Sequence, residues 1–495
     1  MRMSRRSVLT TALAATAAGC STAAFAREAS KDPFAAAKSI DLTGLPSKEQ
    51  LWEWLLWMNS LGPRLTGNPA HVEFVDFLAR EMAALPGVQV SRETHTFANG
   101  GRWDAKSYSL QLIESGRARP LPVTSYYPYS GGTPPEGITA EVVYGGRTPN
   151  FTKGDFHNKI LLLDAPVVPV MYDQWYRRWG SYQEGLDIPS GLTESIYQQF
   201  CAPELKQFKD EGALGVILAW QGISDANARD QYIPFSKPRH DIPALWVGEK
   251  TGAELKAAAA RGAKVTLTLD AQVYPDATSD AIFATLAGKT DETVLIVTHT
   301  DGGNASEENG GLALMAIARH LASLAPGSRQ RTFVFVFTTG HMAHAQIPML
   351  TTFGETHQEL VHKTVVGMAI EHLGSREWAQ DKAGRYVPTG KSVISWAITE
   401  HRYLADLMLA CAKGTIDDRT LAVNPVAKLF TGEGALLYRA GIPTLGFIPI
   451  PTYLLTAPQS GEIDKMDATL FRVQVEVLTR VARHLDTMDR QHLHA

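Results

Sequence analysis

Residues 293–311 read "TVLIVTHTDGGNASEENGG". An uninterrupted apolar run, rich in β-branched residues, stops at His299 and Asp301. Four glycines, two glutamates and two asparagines lie among the ten residues that follow. A run of this length bounded by turn residues reads as a strand buried on both faces. The next residues, "GGLALMAIARHLASL", place Leu314, Ile317, Ala318 and Leu321 at helical spacing. The unit is therefore strand, polar loop, helix. "RTFVFVFTTG", "TVVGMAIEHLG" and "GIPTLGFIPI" supply further strands of the same texture downstream. Strands that alternate with helices imply an α/β fold with a mostly parallel central sheet flanked by helices. Open sheets of this kind bind ligands beyond the carboxyl ends of their strands.

Upstream, "PSKEQLWEWLLWMNSLG" sets Leu51, Trp54, Leu55, Met58 and Leu61 on one helical face. Asn68 before Pro69 reads as an N-cap with proline in the first turn, and Val72, Val75, Leu78 and Met82 as the buried face that follows. "VQVSRETHTF" alternates as a half-buried strand does. At Pro120 the texture changes. A Pro/Gly-rich cluster, "YYPYSGGTPPEG", leads into short strands with few helices up to about residue 272. The expected organisation is an export signal over 1–26, a first part of the α/β unit over 27–119, a β-rich insertion over 120–272, and the second part over 273–495.

The 495-residue chain is 44% hydrophobic and 20% charged, with a net charge of −4, which is ordinary globular composition. No basic run follows the N-terminus, so nucleic acid is not expected as a partner. The first residues, "MRMSRRSVLTTALAATAAGCSTAAFA", have a basic start, a weakly apolar middle and a small-residue end. Arg5-Arg6 resembles a twin-arginine signal. Cleavage after Ala26 and a periplasmic or secreted protein are expected, in preference to lipoprotein anchoring through Cys20. No transmembrane segment is expected. Cys201 and Cys411 remain, too few for a disulfide framework, and no Cys-x-x-Cys pair is present to bind metal through thiolates.

Polar residues recur where the strands stop: His299 and Asp301, then Glu307 and Glu308 in the loop, His341 and His344 after the next strand, Glu371 and His372 after the one beyond. Each alone has an ordinary explanation, as a hydrogen-bonded histidine or as acids complementing a helix dipole. Together, imidazoles and carboxylates at converging strand ends are what a zinc-like ion needs. The carboxylate of Asp301 is placed to accept a ring N–H of His299 or of another ligand histidine. Tyr172, Trp175, Tyr176, Trp179 and Tyr182 form an aromatic group that either packs a core or lines a cleft.

These features resemble the secreted zinc exopeptidases that include bacterial leucyl aminopeptidase and glutamate carboxypeptidase. "LGPRLTGNPAHVEFVDFLAREM" is similar to that family's N-terminal segment, "TVLIVTHTDG" to its His-x-Asp strand, and residues 120–272 to an inserted protease-associated domain. The resemblance implies metal ligands at His299, Glu307, His341 and Glu371, with Asp301 beside them and Tyr453 stabilising an oxyanion. It also exposes departures. The bridging aspartate is Glu307, a ligand glutamate is His341, and the general-base position is Gly340. Leu454 occupies the place of the last histidine. One zinc or other divalent transition ion is expected rather than two. Glu308, Glu371 and Glu433 are candidate bases, with Glu308 foremost. The reading is an exported hydrolase of peptide or amide substrates. A metal enzyme of altered reaction and a non-catalytic binding protein derived from a peptidase stand beside it.

Overall fold

A computed structural model describes residues 33–151, 154–426 and 429–493. The export signal expected over residues 1–26 lies outside them. Among the described residues no helix is long and apolar enough to cross a membrane.

A nine-stranded sheet runs in the order 88–96, 278–286, 332–338, 293–299, 364–370, 444–449, 395–398, 420–425, 176–181. Its centre is parallel: Thr293–His299 pairs in parallel with Thr332–Thr338 and with Thr364–Ile370, and the latter with Thr444–Pro449. The strands outside that centre bring antiparallel pairings. The α/β class is as the sequence implies, and the sheet is mixed, with parallel pairing where the polar loops emerge.

The central strands alternate between two cores, as a period of two requires. Phe333, Phe335 and Phe337 face one core, with the helices Lys48–Ser60, Pro69–Ala83, Gly310–Ser323, Arg402–Ala412 and Ala468–Leu485. Val334, Val336, Leu295 and Val297 face the other. Each such side chain contributes on the order of 1.5–3 kcal/mol by leaving water. Burial on both faces explains why these strands read as unbroken apolar runs.

The N-cap at Asn68 forms as expected: its side chain accepts from His71 N at 2.8 Å. The buried face of that helix is Phe74, Val75, Leu78 and Met82, whereas Val72 is exposed, because the apolar stripe runs through Phe74.

A second, eight-stranded sheet has the order 117–121, 102–114, 264–274, 138–147, 160–166, 215–221, 244–247, 125–126. It takes in Arg102–Glu114, ahead of the composition break at Pro120, because that strand pairs antiparallel with Lys264–Tyr274. In the other direction, Tyr176–Ser181 leaves the second sheet's stretch of sequence to pair with Thr420–Pro425 at the edge of the first. The aromatic group belongs to this edge. Tyr172 and Tyr176 pack on Trp396 with ring centroids 5.0 and 5.5 Å apart, which is core packing of a sheet end.

Candidate metal centre

Three parallel strands end side by side, and each delivers a polar residue to one space. His299 is the last residue of its strand, Glu371 directly follows Thr364–Ile370, and His341 opens a short 3₁₀ turn after Thr332–Thr338. Glu307 arrives from the loop before helix Gly310–Ser323. Gly302 in that loop has no room for a side chain, since an added Cβ would meet Glu307 Cβ at 2.8 Å.

His299 Nε2 stands 3.6 Å from Glu371 Oε2, and His341 Nε2 stands 3.3 Å from Glu307 Oε1. The His299 and His341 rings stack with centroids 3.9 Å apart. Two groups of three thus have ligand atoms within 4.8 Å of one another: His299, Glu307 and His341, and His299, Glu371 and His372. Each histidine uses Nδ1–H elsewhere. His299 donates to the Asp301 carbonyl at 2.9 Å, His341 to Glu433 Oε1 at 3.1 Å, and His372 to the Pro449 carbonyl at 2.8 Å. That fixes the tautomer and leaves Nε2 of all three toward the shared space.

The atoms facing that space fit a cation. His299 Nε2, His372 Nε2, both oxygens of Glu307 and Glu371 Oε2 are buried without a hydrogen-bond partner. Buried polar atoms are rarely left so. Donors about 2.1 Å from one centre in a tetrahedral set stand about 3.4 Å apart, close to the spacings above. The donor types, imidazole and carboxylate, are those of zinc-like ions. Burial pushes Glu307 up, and burial with the neighbouring Glu433 does the same to Glu371. Burial takes His372 down to about 3 and His299 well below its ordinary range, with His341 and His372 adding to the latter. Burial also pulls on His341, but its bonds to Glu307 and Glu433 outweigh that and hold it well above the usual range. Without an ion, His341 is the positive charge beside Glu307 and Glu433; a cation held at Nε2 would take over that part.

Other candidate residues stand outside the cluster. The Asp301 carboxylate accepts from Thr66 Oγ1 and, at 2.8 Å, from Met342 N; it is the Asp301 carbonyl that meets His299. The carboxylate thus anchors the 3₁₀ turn that carries His341 instead of orienting a ligand ring. Glu308 is ion-paired with the buried Arg64, whose other nitrogens donate to the carbonyls of Met58, Gly62 and Asn304. Burial raises Glu308 to about 7 against the pull of Arg64. Glu308 therefore fastens the loop that carries Glu307 to the "GPRLTG" segment. Tyr453 donates its hydroxyl to the Arg376 carbonyl at 2.9 Å, with the Lys465 carbonyl also in reach at 3.1 Å, so it ties two loops together. Leu454 lies in the second core.

Glu433 has a place that its distance in sequence conceals. It stands at the start of helix Gly434–Arg439, and its carboxylate accepts from His341 Nδ1 and from Thr338 Oγ1 at 2.8 Å, while its backbone N–H donates to Glu371 Oε1 at 2.7 Å. The one sequence signal for it is a lone glutamate before a short helix. Phe235, from a loop of the second sheet's segment, lies 5.3 Å from the His341 ring and 5.6 Å from the His344 ring. Only the His341 side chain, at 11% exposure, reaches solvent.

Solved structures share this architecture. The chain is similar to BSAP, a zinc aminopeptidase from Bacillus subtilis, with TM-score 0.61 at 15% identity over 92% of this chain and 99% of that one. It is similar to a peptidase M28 precursor from Shewanella amazonensis SB2B, with TM-score 0.63 at 17% identity over 92% and 95%. An aminopeptidase from Aneurinibacillus sp. strain AM-1 gives TM-score 0.57 at 14% identity over 90% and 95%. No family model matches the chain, and no curated protein does. The fold is that of the zinc exopeptidases, and at these identities the likeness is one of fold.

Proposed function

We propose that the chain is a metal-dependent hydrolase of peptide or amide bonds in which His299, Glu307, His341 and Glu371 hold a single zinc-like ion. The observation that carries this reading is the convergence of unpartnered, buried imidazole nitrogens and carboxylate oxygens at the ends of the central strands. The fold shared with zinc aminopeptidases supports it. When bound, the ion polarises the scissile carbonyl and activates water.

The chain's own residues divide the remaining work. Glu433 holds the His341 tautomer. Arg64 and Glu308 fix the loop that carries Glu307. Phe235 packs beside His341, where an apolar ring would limit the approach of bulk water. Gly340, at the usual base position, has φ 87°, and an added Cβ would meet the Ile347 carbonyl oxygen at 2.7 Å, so that position is closed to a carboxylate. Glu308 faces Arg64, Glu433 is engaged by His341 and Thr338, and Glu371 keeps one free oxygen. Glu307 has His341 Nε2 3.3 Å from Oε1, and its Oε2 has no donor. One oxygen would hold the ion, and the other is placed to take a proton from the attacking water.

Residues 120–272 are proposed as a protease-associated insertion whose loop roofs the site, and residues 1–26 as an export signal on the strength of Arg5-Arg6. The closed position at Gly340 favours a metal enzyme of altered reaction as the second reading. The test is metal analysis of the purified protein followed by a panel of peptide and amide substrates, before and after chelation. One transition ion per chain and chelator-sensitive amide hydrolysis are expected. A protein that takes up no transition metal would sink the proposal; one that holds metal and cleaves no amide would turn it to the second reading.

A further inference from the structure

Where the exopeptidase pattern has its last histidine, this chain has Leu454, buried at 5% exposure in an apolar core. A nitrogen reaches the cluster from another place. His372 directly follows Glu371. Consecutive residues of an extended strand point to opposite faces, yet these two side chains face one space, with His372 Nε2 3.8 Å from Glu371 Oε2 and 4.0 Å from Glu307 Oε2. The backbone of His372 permits this. Its φ of 61° lies in the left-handed region, uncommon for a residue with a side chain. The ring is fixed by the Pro449 carbonyl at Nδ1, 2% of the residue is exposed, and Nε2 has no partner. An orphaned nitrogen alone does not mark a ligand, since His344 Nε2 is orphaned too; that of His372 differs in facing the carboxylates of Glu307 and Glu371.

Resting on the metal reading above, the geometry points to His372 as a ligand of the same ion that His299 and Glu371 hold, in place of the nitrogen that Leu454 cannot supply. His299 Nε2 has one lone pair and serves one ion. The two groups of three that share it therefore describe a single site with imidazoles from positions 299, 341 and 372, two of them locked on backbone carbonyls and one on a carboxylate.

Cobalt(II) added to the metal-free full chain is the probe, read by calorimetry and by its visible absorption bands. His372→Asn keeps a residue that tolerates the left-handed backbone and is too short to ligate. Its cobalt affinity is expected to fall by more than about 100-fold, beyond the 10–100-fold that loss of a ligand's outer partner brings. The bands shift as a nitrogen donor is lost, and thermal unfolding of the metal-free variant matches that of the parent. His372→Gly, with free imidazole supplied, should recover the parent bands, which a structural role for the ring would not produce. His344→Ala, a histidine outside both groups, should change affinity only a few-fold. His372→Asn with unchanged affinity and bands overturns the assignment and leaves the hydrolase reading standing. A parent chain that takes up no cobalt overturns both.

Discussion

Two buried polar clusters lie in the first sheet's half of the molecule, and they are built on opposite terms. Around Asp417 every acceptor is used. Ser395 Oγ and Gln474 Nε2 donate to Oδ1 at 2.8 and 3.1 Å, and Thr420 Oγ1 donates to Oδ2 at 3.0 Å. These bonds join two strands and helix Ala468–Leu485 into one unit. Around Glu307 and Glu371 the groups are as deeply buried, yet Glu307 Oε2, Glu371 Oε2 and the Nε2 atoms of His299 and His372 have no hydrogen-bond partner. A satisfied network is complete as protein and serves as scaffold. An unsatisfied one, held open by tautomer-locking bonds behind each ring, is complete only with a cation. Burial does not separate the two; the direction in which the lone pairs point does.

The widest break in this comparison is expected at Glu307. Glu307→Gln removes a buried carboxylate whose cationic neighbour is His341. The metal-free variant should unfold no earlier than the parent, while transition-metal affinity falls by more than about 100-fold, above the range for outer-shell changes. Loss of stability in the metal-free protein with metal affinity intact would place Glu307 on the scaffold side.

Glu308 should behave in the reverse manner. Glu308→Gln leaves the buried Arg64 without its carboxylate and is expected to lower stability by about 3–5 kcal/mol in chemical denaturation. Normal stability together with slowed turnover would return Glu308 to the role of base.

Glu194 offers an intermediate case, with a single donor, Tyr172, at 2.7 Å. Burial raises its carboxyl from 4.5 to about 7. The folded chain therefore holds a proton that the unfolded chain has released, and stability falls as pH rises from about 4.5 through 7. The contribution is on the order of 3 kcal/mol between those limits. Glu194→Gln should flatten that slope, gaining on the parent at pH 8 and not at pH 4; equal slopes for both proteins would count against a neutral buried Glu194.

The smallest effect is expected at Asp417. Asp417→Asn disturbs one satisfied network, lowering stability by about 1–3 kcal/mol with metal content unchanged. A change in metal content would erase the division between the clusters.

The same division accounts for what could be read in the sequence. "FVFVF" and "TVLIVT" announce strands buried on both faces because apolar periodicity is a local property, and the N-cap at Asn68 depends on residues within one helical turn. The convergence of His299, Glu307, His341 and Glu371 was legible because adjacent parallel strands end at one edge. Side chains that merely stand near it were not separable from those that face it. Asp301 turns its carbonyl to His299 and its carboxylate to Thr66. Glu308 turns to Arg64, which lies 244 residues earlier in the chain. Glu433 meets His341 because Thr444–Pro449 lies beside Thr364–Ile370, a pairing fixed by the strand order of the whole sheet. The entry of Arg102–Glu114 into the second sheet depends on a partner strand well over a hundred residues later. None of these has a local signature.

The clasp between Arg64 and Glu308 also bears on time. It closes across 244 residues, a span that contains the whole of the second sheet. Contacts of such separation form late, since the entropy of closing a long loop comes due before the contact repays it. The loop that carries Glu307 is thus expected to settle only after the intervening chain has folded, and competence to capture an ion becomes a sign of finished folding. In refolding followed with cobalt, uptake should lag the recovery of secondary structure; uptake in the earliest phase would show that the site assembles without the clasp.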